Sequence, residues 1–132
     1  MRVLVISADR TLEEFLGREL SRAEFAVFGV RPGAAVVHTS RALRPEIAVV
    51  HRGDACREAT ALALAVLRDV RPEVRIILVS RAPSSEDALL VEEGVFYYMP
   101  ASPPLRLPDV VRAAARSICE ESERQSRQGE LR

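Results

Sequence analysis

Arg44-Pro45-Glu46-Ile47-Ala48-Val49-Val50-His51-Arg52-Gly53-Asp54 is the stretch whose reading decides the fold. It is an apolar run too short for a helix, led by proline, rich in β-branched residues and closed by a polar residue and a glycine. That is the pattern of a parallel strand buried on both faces. In open α/β sheets, functional side chains gather where strands end, because backbone dipoles and helix N-termini converge there. His51, which closes the run, is therefore the first candidate site residue.

Upstream, residues 3–6 read as a first strand, followed by a loop over 7–10. Thr11-x-x-Glu14 has the spacing of a capping box, and Leu12, Phe15, Leu16 and Leu20 recur at helical spacing behind it. Residues 25–30 form a second strand and 34–43 a second helix, with Val36, Val37 and Leu43 inward and Pro45 ending it. Downstream, a third helix over 55–70 carries apolar residues on more than one face. Leu62, Val66 and Val70 make the stripe expected to meet the sheet, whereas Ala61, Leu64 and Ala65 fall elsewhere and suggest contact with another chain. Alanine is also simply a good helix former.

Residues 75–79 read as a fourth strand ending at Ser80. Ser84-x-x-Asp87 can cap a fourth helix to Glu93 with Gly94 just beyond it, and 95–99 form a fifth strand stopped by Pro100. A proline-rich segment leads to a fifth helix with Val110, Val111, Ala114 and Ile118 on one face. From Glu120 the apolar period gives out, so 1–119 form one domain. Residues 120–132 are either a charged helical extension or a disordered tail, with disorder expected past about residue 124. Five alternations of strand and helix predict an α/β doubly wound parallel sheet with helices on both faces.

The 132 residues and 48% hydrophobic content support one core, and Lys+Arg and Asp+Glu balance at 19 each, so nothing points to nucleic acid or a membrane surface. All nineteen basic residues are arginine; without lysine, Schiff-base and P-loop chemistry are ruled out. Cys56 and Cys119 lack C-x-x-C spacing and read as buried, reduced thiols. The apolar N-terminus turns polar at Ser7, too early for a signal peptide or a span, which predicts a soluble, cytoplasmic protein.

The pattern over 2–119 resembles the receiver domain of two-component response regulators, the CheY-like, flavodoxin-like fold with strand order 2-1-3-4-5. Arg2-Val3-Leu4-Val5-Ile6-Ser7-Ala8-Asp9 is similar to that family's first strand, and Arg44 to His51 to its third. Ile76-Ile77-Leu78-Val79-Ser80-Arg81 resembles the fourth, and Glu93-Gly94 through Met99-Pro100 the fifth. The resemblance implies a magnesium-holding acidic pair at the end of strand one, where Ser7 and Ala8 stand. It implies a phosphorylated aspartate where His51 stands, a lysine where Met99 stands, and a hydroxyl, which Ser80 supplies. Asp9 lies one or two positions late, where Asp commonly caps a helix, and Asp54 lies three beyond His51. The resemblance therefore predicts a degenerate receiver: a signalling module with no enzyme activity, no cofactor and no metal, whose partner is another signalling protein or a second copy of itself. It implies an interface on the fourth helix, fifth strand and fifth helix, here Leu89, Leu90, Phe96, Tyr98 and Arg112, with Phe96 near the family's switch aromatic. The surplus face of the third helix is a second.

For His51 three readings stand. It is a neutral imidazole bonded to Ser7, Ser80 or a backbone carbonyl, a pH-responsive group near Asp9 or Asp54, or a general base for Ser7 or Ser80. The last lacks a nucleophile-elbow sequence and a glycine-rich oxyanion loop. A small enzyme or ligand-binding protein on the same scaffold is the alternative function. No glycine follows strand one within 7–11, so phosphate binding is poorly supported, although Arg10 and Arg81 would attract an anion. A phosphohistidine at His51 is more remote still. His38, on the second helix, and the separated cysteines make no metal set.

Overall fold

Five parallel strands form one sheet in the order β2-β1-β3-β4-β5. The computed structural model describes residues 1–53, 57–80, 88, 94–100 and 106–130. The elements are β1 (Arg2–Ile6), α1 (Thr11–Glu19), β2 (Ala26–Val30), α2 (Ala34–Leu43), β3 (Ile47–His51), α3 (Arg57–Val70), β4 (Arg75–Ser80), β5 (Tyr97–Pro100) and a C-terminal helix (Leu107–Glu130). The fold is the expected doubly wound, CheY-like one.

Side chains alternate between the faces of a strand, so each central strand feeds two cores. On one face Val3, Val5, Val49, Ile77, Val79 and Met99 pack with Leu12 and Leu16 of α1 and with Leu107, Val111 and Ala114 of the C-terminal helix. On the other, Leu4, Ile6, Ala48, Val50, Ile76 and Leu78 meet Val36 of α2 and Ala63, Leu64 and Leu67 of α3. This two-sided burial explains why β3 and β4 read as unbroken apolar runs.

Four local expectations give way. Helix α1 begins at Thr11 with Arg10 as its N-cap, and no side chain of that cap bonds the helix, so Thr11 and Glu14 do not form a capping box. Helix α3 buries Thr60, Ala63, Leu64 and Leu67, whereas Leu62, expected to face the sheet, is 64% exposed. Both stripes are apolar; periodicity alone cannot choose between them, and the stripe with two leucines three apart is the one that fills the space against β3 and β4. Leu64 is therefore withdrawn from the candidate interface. The C-terminal helix continues to Glu130, past the expected onset of disorder. Arg75 of β4 fastens it by bonding Ser117 Oγ at 3.4 Å and the Glu121 carboxylate. From there on, Glu120 and Arg124, and Glu123 and Arg127, have the i,i+4 spacing that supports a solvated helix.

Cys119 is exposed, not buried, because it sits past the last inward residues of that helix. Cys56, Asp54, Arg81 and, apart from the helical Ala88, the fourth helix expected over 84–93 lie outside the described residues. Among the described residues no helix is long and apolar enough to cross a membrane.

Candidate functional site at the strand ends

Strands β1, β3, β4 and β5 deliver Ser7, His51, Ser80 and Met99 to one end of the sheet. Ser7 follows directly on β1; its N–H donates to the Val30 carbonyl at 3.1 Å, which carries the β1–β2 ladder one residue further and holds the side chain in place. Its Oγ lies 3.0 Å from His51 Nδ1, and the Asp9 N–H donates to the same oxygen at 3.4 Å. A hydroxyl with two lone pairs and one proton serves both contacts whichever imidazole tautomer is present. Ser7 is buried and His51 half-buried, and the contact between them is common to the imidazole-bonded-to-Ser7 and base-for-Ser7 readings of His51. Gly53, with φ of 51°, then turns the chain in the left-handed region that favours glycine.

Replacing Ser7 with alanine leaves Nδ1 without that hydroxyl and is expected to cost about 1 kcal/mol. Urea unfolding of Ser7→Ala measures it, and unchanged stability contradicts a structural role for the contact.

Asp9 accepts the Thr11 N–H at 2.8 Å through Oδ1, which satisfies a donor at the start of α1, as its position suggests. With Ser7, Ala8, Arg10, Glu13 and Arg31 it also lines a cleft of about 270 Å³. Ser80 is buried at the end of β4, and Met99 is 7% exposed and packed in the core with the C-terminal helix. Next to β3, the Arg52 N–H donates to the Val79 carbonyl at 2.8 Å, holding the ends of β3 and β4 together.

The site thus offers a hydroxyl tied to an imidazole, the Ala8 methyl group, a second hydroxyl, a buried thioether and one carboxylate, Asp9, which already accepts the Thr11 N–H. A hard divalent cation wants several carboxylate or carbonyl oxygens, and this set does not fit one. Among the described residues no group of three His, Cys, Asp or Glu is placed to hold a metal ion.

The candidate surfaces come apart. Arg112 faces α1, donating to the Glu19 carbonyl at 2.9 Å and to Asp109 Oδ1 at 3.0 Å. Tyr98 is half-buried against the α2/α3 core, while Phe96 and its neighbour Tyr97, which sequence reasoning passed over, are exposed. Ala65 is exposed and Ala61 half-buried on α3; Leu89 and Leu90 lie outside the described residues. Also missed was β2, whose Ala-Val-Phe-Gly-Val contains no charge and leaves Phe28 38% exposed. Its legible signal was an uncharged strand at the sheet edge in the 2-1-3-4-5 order.

Strand order, crossovers and two-sided packing are those of the doubly wound, CheY-like fold that receiver domains share with flavodoxins. Solved structures agree. A protein of Burkholderia pseudomallei described as pilus assembly-related is 25% identical, with a TM-score of 0.66 over 87% of this chain and 89% of that one. A pilus assembly protein of Burkholderia thailandensis is 23% identical, with a TM-score of 0.67 over 87% and 98%. A response regulator of Thermotoga maritima is 16% identical, with a TM-score of 0.71 over 86% and 95%. No family model and no curated protein matches the chain.

Proposed function

We propose that this chain is a degenerate receiver: a bacterial, cytoplasmic signalling or assembly module that works through protein contacts and not through phosphorylation of its strand-end site. The observation that carries this reading is the Ser7–His51 hydrogen bond. It stands where the resemblance implies a carboxylate of the metal pair and the phosphorylated aspartate. A hydroxyl and an imidazole bonded to each other supply neither the charge to hold magnesium nor the carboxylate that attacks a phosphoryl donor. Without that charge clamp, switching has to come from a partner that binds one conformation better than another. Two of the similar structures carry pilus assembly descriptions, which supports a role in building a complex as readily as one in a phosphorelay.

Ser7 and His51 also meet the distance for a nucleophile and its base, but Ser7 is buried, which argues against attack on a substrate. Incubation with a small phosphodonor and Mg²⁺, read by intact mass, is expected to leave the protein unmodified. A phosphorylated species mapping to His51 or Asp54 overturns the proposal.

A further inference from the structure

The surface with the least explanation is the free edge of β2. The Ala26 N–H donates to the Met1 carbonyl at 2.8 Å and the Val30 carbonyl accepts from Ser7 at 3.1 Å, so Ala26 and Val30 turn their backbone groups toward β1. By alternation Val27 and Gly29 turn theirs outward. Since β2 ends the sheet, no strand among the described residues receives them. Edge strands are commonly blunted with charge, proline or a bulge; β2 has no charge and no proline, and it pairs with β1 residue for residue along its whole length. Beside it, on the α1 side, lies an open groove of about 680 Å³ lined by Glu14, Gly17, Arg18 and Arg22.

We propose that this edge pairs with the same edge of a second copy, antiparallel across a two-fold axis at Phe28, joining the two sheets into one. The proposal rests on the reading that the module works through protein contacts, and it names the partner. The register follows from the backbone. Outward-facing residues must oppose outward-facing residues, which sets Val27 against the partner's Gly29, each exchanging N–H and C=O with the other. Phe28 then opposes the partner's Phe28 in a non-hydrogen-bonded pair, where side chains approach most closely and an aromatic pair is most stabilising. A two-fold contact of this kind closes on itself and does not grow into a fibre.

Charge selects the antiparallel sense. Helix α1 runs alongside β2 with Glu13 and Glu14 in its first turn and Arg18 in its last. The two-fold axis, perpendicular to the sheet, keeps both α1 helices on one face and lays the acidic turn of one copy beside the basic turn of the other, whereas pairing the same two edges in parallel turns one copy over, puts its α1 on the opposite face and forgoes that attraction.

Light scattering on the full chain over a concentration series tests this. The wild type is expected to approach twice its 14.6 kDa mass. Val27→Pro removes an outward N–H and spares the bonds to β1, and Phe28→Glu places a charge at the axis. Each is expected to raise the dissociation constant at least about tenfold. Arg18→Glu is expected to weaken the dimer and Glu14→Arg with Arg18→Glu to restore it. A wild type that stays monomeric throughout, a dimer unaffected by both edge variants, or a double variant that does not recover, overturns the inference. The phosphodonor experiment reads only the strand-end site, so failure there and failure here are told apart.

Discussion

Leu64→Ala is expected to lower the stability of the fold by about 2–5 kcal/mol, measured by urea unfolding, whereas Leu62→Ala two residues earlier is expected to change it by no more than about 0.5 kcal/mol. Leu64 is fully buried among Leu4, Val50 and Leu78 on the α2/α3 side of the sheet. Truncating it removes both the transfer free energy of the lost methyl groups and the contacts lining the cavity left behind. Leu62 is 64% exposed and gives up little of either. Equal costs at the two positions, or a larger cost at Leu62, contradict the orientation of α3.

A second large effect is expected from rebuilding an acidic site. Ser7→Asp, Ala8→Asp and His51→Asp together remove the Ser7–His51 bond and place three carboxylates where strands β1 and β3 end. Like charges in a partly buried site raise one another's pKa and destabilise the fold. The variant is therefore expected to be less stable than wild type in the absence of divalent ions. Mg²⁺ supplies the missing counter-charge and is expected to recover about 2.7 kcal/mol at a hundredfold excess over its dissociation constant. A variant indifferent to Mg²⁺ shows that these strand ends do not form the pocket the resemblance implies.

The fold was legible because its decisive segments are buried on both faces. β1, β3 and β4 are apolar runs that only a parallel sheet covered by helices can hide, and the strand order followed from the resemblance of those runs in sequence. The orientation of α3 was not legible, since Leu62 and Leu64 begin stripes of similar hydrophobicity and only packing against β3 and β4 decides between them. The course of the last helix was hidden for a related reason. Its apolar period stops near Ile118, and what carries it further is one clasp from Arg75, a residue 46 positions before Glu121.

At the site, the identities of Ser7, His51, Ser80 and Met99 were plain from the sequence, but that Ser7 bonds His51 was not, because it depends on the register of β1 with β3 that brings the two side by side. Arg112 shows the opposite case. A position taken to lie on the β5 side belongs to the junction with α1, because its guanidinium reaches the Glu19 carbonyl at the end of that helix.

The most direct test of the central claim is a thermal-unfolding series on the unmodified chain with Mg²⁺ and beryllofluoride. A strand-end site built from a serine, an alanine, a histidine and a methionine predicts the same transition with and without them. A metal-dependent rise in the transition temperature, reversed by a chelator, contradicts it.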